Sequence, residues 1–179
     1  MWIQIIVAFL ITFILVVLWW KRRPSPTLYE RVGGIYNIAM IVDHYSNALI
    51  DNPVVGKNSA NPILADWHTN KLHRLPGLKF MRTLWVASIT GGPFEYTQLK
   101  TQPARCPFSL QGPHGGLNIS TEEYNAAAIE LRKTLNHYNI DADDQVDLLT
   151  LFMIHRSDVI PNYPVYNVMH FLNCPLVFW

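Results

Sequence analysis

The stretch Pro113-His114-Gly115-Gly116-Leu117-Asn118-Ile119-Ser120 decides how the chain is read. Gly112, Pro113, Gly115 and Gly116 all interrupt helix, so His114 stands on broken chain between two segments of helical periodicity. An imidazole placed there either offers a nitrogen to something held between neighbouring helices, whether a metal, a cofactor or a substrate, or is a hydrogen-bonded loop histidine of no special role. The chain has seven histidines, and local sequence alone leaves both alternatives open for this one.

On its C-terminal side, Ser120-Thr121-Glu122-Glu123 is a capping box. The helix it starts is predicted to run to about Tyr138, with Tyr124, Ala127, Ala128, Leu131 and Leu135 as its apolar face. Its small alanines permit close approach of a neighbouring helix or a flat group. Asn139-Ile140-Asp141 makes a turn, and Asp141 or Asp143 caps a last long helix with Val146, Leu149, Phe152 and Met153 directed inward, ending near Val159 before Pro161.

On its N-terminal side, Phe94 to Ser109 is irregular, broken by Pro103 and Pro107, and nothing near Cys106 would lower its thiol pKa. Before it, Leu78 to Ile89 reads as a helix that Gly91-Gly92-Pro93 ends. Leu78, Arg82, Trp85 and Ile89 share one side, with Met81 and Val86 at its shoulders. Arg82 is the anomaly: a guanidinium on so apolar a face must snorkel to water, pair with an anion or donate to a ligand, because unpaired burial is too costly.

Further upstream the periodicity fades from Val54 to Pro76, a long connection with room for a single helical turn around Ile63 to His68. His68 and His73 lack the carboxylate or cysteine partner that would complete a metal site. Thr27 and Glu30 form a second capping box, closed by Gly33-Gly34. Ile35 to Ile50 places Ile35, Ile38, Ile41, Val42, Tyr45 and Leu49 on one helical stripe, and Asp51-Asn52-Pro53 stops it. Tyr45 lies within that stripe, so its hydroxyl either meets a core carbonyl or points into a pocket.

Composition bounds the function. The chain of 179 residues is 50% hydrophobic and 15% charged with a formal net charge of +1, which argues against nucleic acid as a partner. Two cysteines, Cys106 and Cys174, make neither a disulfide framework nor a structural zinc site. Much of the apolar excess lies in residues 2–20, whose only polar members are Gln4 and Thr12. At helical rise these nineteen residues span about 28 Å, close to a hydrocarbon core. They read as a transmembrane anchor, with the lipid bilayer as partner. Lys21, Arg22 and Arg23 then place the following domain in the cytoplasm of a single-pass membrane protein. Residues 21–26, with Pro24-Ser25-Pro26, read as a stiff linker, 27–160 as the folded domain, and 161–179 as an apolar aromatic tail that packs back, lies on a membrane or mediates association.

Four blocks in order carry a resemblance. Leu28-Tyr29-Glu30-Arg31-Val32-Gly33-Gly34, then Tyr45 with Leu49-Ile50-Asp51-Asn52-Pro53, then Gly91-Gly92-Pro93-Phe94-Glu95-Tyr96-Thr97, then His114 to Ser120 resemble the successive signatures of the truncated haemoglobins, most like group I. The resemblance runs from Thr27 to Val159. It implies an all-α fold, the two-over-two helical sandwich of a truncated globin, here preceded by the apolar N-terminal helix. It implies haem b (iron protoporphyrin IX) as cofactor, His114 as the proximal ligand of the iron, and Tyr45 as the distal hydrogen-bond donor. Leu78, Arg82, Trp85 and Val86 then line the ligand side or its tunnel.

The sequence departs from the family's pattern in five places, one of them the expanded stretch between Thr97 and His114. Arg82 stands where glutamine is common, His44 stands beside the tyrosine where phenylalanine is usual, the connection before Leu78 is long, and Trp67 is the candidate for the expected haem-packing phenylalanine. The function implied is reversible binding of dioxygen or another diatomic gas, for storage, delivery or sensing. The alternatives are a nitric oxide dioxygenase served by a separate reductase, for which this chain has no nucleotide fingerprint of its own, and a haem-free interaction domain.

Overall fold

The computed structural model describes residues 2–21, 24–94 and 110–161. Among these there is no strand. The order of helices is α1 (Trp2–Lys21), α2 (Leu28–Arg31), α3 (Gly34–Asp51), α4 (Pro62–Asn70), a 3₁₀ turn (Leu72–Arg74), α5 (Leu75–Ile89), α6 (Gln111–His114), α7 (Thr121–His137), α8 (Ala142–Ile154) and α9 (Arg156–Val159). Cys106, Cys174 and nearly all of the predicted tail and of the irregular stretch before Ser109 lie outside the described residues.

Local sequence starts each main helix. Thr27 and Glu30 cap α2 reciprocally, with Thr27 N–H donating to Glu30 Oε2 at 2.8 Å. Ser120 and Glu123 do the same for α7, with Ser120 N–H donating to Glu123 Oε2 at 2.7 Å. Asp141 caps α8. Gly33 and Gly34 have φ of +98° and +74°, the left-handed region that favours glycine, and so turn the chain from α2 into α3. At Gly92 a Cβ would lie 2.6 Å from both Ala87 O and the Tyr29 ring, so α2 seats closely against the end of α5.

Helix α3 is the centre of the packing. It lies against α5 on one side and α7 on another, while α7 packs on α8. Val32, Ile38, Ile41, Val42, Ala87 and Leu135 form the core where these helices meet. A second cluster of Tyr45, Leu49, Val55 and Leu64 joins α3 to α4. A third, of Tyr124, Val159 and Ile160, joins α7 to α9. Arg31 forks between Asp144 and Asp147, at 2.6 Å to each, and ties α2 to α8.

The structure corrects the expectation of a membrane anchor. Among the described residues no helix is long and apolar enough to cross a membrane. The predicted transmembrane helix over 2–20, single-pass membrane localisation and the lipid bilayer as partner are therefore withdrawn. The described side chains of α1 are exposed to solvent.

Three smaller differences follow from local chemistry. The predicted single turn near Ile63 is a nine-residue helix, because Asn61 caps it and Pro62 occupies its first position. Helix α5 begins at Leu75 rather than Leu78, with Pro76 in its first turn. On α8, Val146 is 63% exposed and Asp144 is buried, so the helix turns its acidic residue inward to meet Arg31, while Leu149 still reaches the core.

Candidate functional site

Helices α3, α4, α5, α7 and α8 and the segment around α6 enclose a cavity of about 1040 Å³, at the upper end of the volumes typical of small-molecule and cofactor sites. Tyr45, Leu78, Arg82, Trp85, Val86 and His114, the six residues singled out in the sequence, all line it. Most of the remaining wall is aliphatic or aromatic, including Ile38, Leu49, Leu117, Leu131, Leu148 and Phe152.

His114 is the last residue of the single turn α6, not a loop residue. Leu110 O lies 2.9 Å from its Nδ1. A carbonyl only accepts, so Nδ1–H donates and the neutral ring carries its lone pair on Nε2. No hydrogen bond among the described residues uses that Nε2. Burial holds the His114 pKa below the ordinary histidine value, the Leu110 carbonyl opposes this, and the charge on Arg82 adds to it. The imidazole is thus neutral at neutral pH, as a metal ligand must be.

Two long-range ties hold this segment. Leu110 N–H donates to Asp158 Oδ2 on α9 at 3.1 Å, and the same oxygen accepts from His155 Nδ1 at 3.1 Å. From the other side Asn61 Nδ2 donates to Leu117 O at 3.0 Å, so the residue that caps α4 also fixes the chain just after His114.

Tyr45 is buried in α3, and its hydroxyl makes no hydrogen bond among the described residues. Burial pushes its pKa up to about 12, against the lowering influence of Arg82. The group is a neutral O–H at physiological pH, without an internal acceptor. Arg82 Nη1 donates to Ser46 Oγ at 2.7 Å, and its guanidinium carbon lies 5.3 Å from the Tyr45 ring centroid, within cation–π range. Trp85 is buried with its ring edge-on to His155 at 4.9 Å. His44, the substitution beside the tyrosine, faces elsewhere: it stacks on His137 at 4.4 Å and bonds Thr134.

Several wall residues escaped sequence reasoning. His68 lines the cavity, with Nδ1–H donating to Leu64 O at 3.0 Å, and burial lowers its pKa. His73 does not line the cavity with it. Lys71 and Arg74 also belong to the wall; Lys71 pairs with Asp66 at 2.7 Å and Arg74 is exposed. Their signal was hidden because the stretch looked like an irregular connection. Trp67, the candidate ring for packing on a cofactor, is likewise in the wall.

This donor set fits an iron porphyrin. One unprotonated imidazole nitrogen is available as an axial ligand, apolar walls suit a flat macrocycle, Lys71 and Arg74 suit its carboxylate arms, and Tyr45 and Arg82 supply donors inside the cavity. Among the described residues no group of three or more His, Cys, Asp or Glu side chains could hold a bare metal ion.

No family model matches this sequence, and no curated protein matches it either. Solved structures do. The truncated haemoglobin from Tetrahymena pyriformis in its Fe(III) form superimposes with a TM-score of 0.59 at 17% identity, over 75% of this chain and 98% of that one. The haemoglobin from the thermophilic phototrophic bacterium Chloroflexus aurantiacus gives 0.53 at 22% identity, over 75% and 95%. The 2/2 haemoglobin from Synechococcus sp. PCC 7002, in the cyanomet state and with covalently attached heme, gives 0.53 at 19% identity, over 75% and 98%. The fold of this chain is therefore that of the truncated, two-over-two haemoglobins.

Proposed function

We propose that residues 27–160 form a haem-iron protein, most like group I of the truncated haemoglobins, that reversibly binds dioxygen or another diatomic gas. The observation that carries this reading is one largely apolar cavity lined both by His114, whose Nε2 is free, and by Tyr45, whose hydroxyl has no partner among the described residues. When bound, an iron porphyrin supplies a metal centre with an open face for a gas. The form proposed is haem b, since the sequence lacks the Cys-x-x-Cys-His of thioether attachment.

The protein's own contribution is positioning and polarity. Leu110 O fixes the tautomer and the plane of His114, and Asp158 fixes Leu110. Tyr45 donates its O–H toward the ligand and stays protonated because of its burial. Leu78, Trp85 and Val86 exclude water from the ligand side. Storage, delivery and sensing all use this chemistry, and the site does not distinguish among them.

Absorption and resonance Raman spectra of the ferrous protein test the proposal. A Soret band and an iron–histidine stretch that His114→Ala abolishes are expected. Purified protein with no Soret band, and no spectral change on adding haemin, would overturn it in favour of a haem-free domain.

A further inference from the structure

Ser25 lies between Pro24 and Pro26 in an irregular, exposed stretch over residues 24–27. Pro24 fixes its own φ, and Pro26 pushes the residue before it out of the helical region, so Ser25 is held extended. Thr27 continues the same path with φ −62° and ψ 159°. Ser25 takes part in no hydrogen bond among the described residues. Its neighbour Thr27 is engaged, the hydroxyl donating to Glu30 Oε2 at 3.2 Å. The other described serines differ as well. Ser46, Ser59, Ser88 and Ser157 are not exposed, and Ser120, which is, accepts from Glu123 N–H at 3.2 Å.

The sequence singles out the same serine. Ser25-Pro26 is the only Ser-Pro or Thr-Pro step in the chain, and Lys21-Arg22-Arg23 stands immediately before Pro24. A free hydroxyl on extended, exposed chain is what a protein kinase draws into its cleft. Proline directly after the serine has no N–H, so it suits an enzyme that offers that residue an apolar pocket and asks no main-chain donor of it. The three basic residues add charge for an acidic groove. Beyond the serine, Arg31 Nη1 donates to Pro26 O at 3.2 Å, while its Nε and Nη2 grip Asp144 and Asp147. Asp147 is the more exposed of the two carboxylates, at 54% against 10%. A phosphate arriving next to Pro26 therefore meets a guanidinium with one partner that solvent readily takes back.

We propose that Ser25 is a phosphorylation site for a proline-directed serine kinase, and that Arg31 is the cation that receives the phosphate. In the step, Ser25 Oγ forms a bond to the γ-phosphorus of ATP and the bond from that phosphorus to the bridging oxygen breaks. ADP leaves, and the hydroxyl proton passes to the kinase's general base. The product carries about −1.5 to −2 charge at neutral pH and brings strong acceptor oxygens. It competes with Asp147 for Arg31, and so shifts that guanidinium from tying α2 to α8 towards tying the extended stretch to α2. None of the residues involved lines the cavity, so the proposal stands apart from the haem reading.

The test is incubation of the full-length protein with ATP and a purified proline-directed serine/threonine kinase, followed by intact-mass measurement and peptide mapping, for wild type, Ser25→Ala and Pro26→Ala. Both positions are exposed, so the variants keep the fold, which circular dichroism checks. The expected result is one phosphoryl group on the wild type, mapped to Ser25, and none on Ser25→Ala. For Pro26→Ala the initial rate is expected to fall about tenfold or more, the discrimination that one lost pocket contact provides. No incorporation into the wild type, incorporation that maps elsewhere, or a rate that ignores Pro26 overturns the assignment. Phosphorus NMR of the phosphorylated protein then tests Arg31. The second pKa of a phosphoserine is ordinarily about 6, and a neighbouring guanidinium favours the dianion and lowers it. A lowered value in the wild type that returns towards about 6 in Arg31→Gln is expected; equal values in the two proteins overturn the role of Arg31.

Discussion

Replacing Asp158 by alanine removes the acceptor at the end of α9 on which the His114 segment hangs. Two hydrogen bonds to Asp158 Oδ2 are lost, from Leu110 N–H and from His155 Nδ1, each 3.1 Å long. His155 is 2% exposed and its Nε2 already has no partner, so the imidazole is left in the core with neither nitrogen satisfied. The carboxylate side chain is 18% exposed, which lets water restore little of what is lost. Two orphaned donors at about 1–2 kcal/mol each amount to a destabilisation of about 2–4 kcal/mol. For a chain of this size that corresponds to a fall in Tm of about 4–16 °C. Asp158→Asn retains a neutral oxygen in the same place and is expected to lose less than half as much. Urea denaturation followed by circular dichroism measures both variants, and the iron–histidine band reports whether His114 has shifted. If Asp158→Ala lies within about 0.5 kcal/mol of wild type, or if Asn is as damaging as Ala, the reasoning that Asp158 supports the histidine through Leu110 is wrong.

Other outcomes follow from the same geometry. Tyr45→Phe is expected to leave haem bound while oxygen dissociates about tenfold faster, the loss of one donor to the ligand, and stopped-flow displacement by carbon monoxide measures it; an unaltered rate refutes the role of Tyr45. Gly92→Ala is expected to destabilise by about 1–3 kcal/mol, because its Cβ would sit 2.6 Å from Ala87 O and the Tyr29 ring, and thermal melting reads this directly. Stability is expected to decline as pH falls below about 6.5. Both His114 and His68 have pKa values lowered from 6.5 by burial, so the unfolded chain binds more protons than the folded one below that pH. Urea midpoints at pH 7.5 and 5.5 should show the loss, and His68→Gln should reduce it.

What sequence could reveal depended on whether the signal was local. The capping boxes at Thr27 and Ser120 are contained within four residues, and both occur where expected. The stripe from Ile35 to Leu49 survives intact because a long helix with one buried face fixes its own periodicity. Helix α8 shows the limit of that signal. Its inward face was expected at Val146, Leu149, Phe152 and Met153; Leu149 and Phe152 do pack inward, but Val146 and Met153 are exposed, and Asp144 turns inward instead to meet Arg31, more than a hundred residues away. Around the site, Tyr45 and Arg82 could be recognised as polar groups on apolar stripes. His68, Lys71 and Arg74 could not, because Asn61 and Pro62 read equally well as loop residues or as a cap. His155 and Asp158 had no visible pattern at all, since their importance arises only from contact with Leu110.

The ties on the His114 segment also bear on the order in which the molecule assembles. Asn61 to Leu117 closes a separation of 56 residues and Leu110 to Asp158 one of 48, whereas the caps of α2 and α7 close within a single turn. Loop closure over such spans must be completed before its contacts are gained. The caps of α2 and α7 can therefore form ahead of the histidine wall, which closes only once α4 and α9 have both docked.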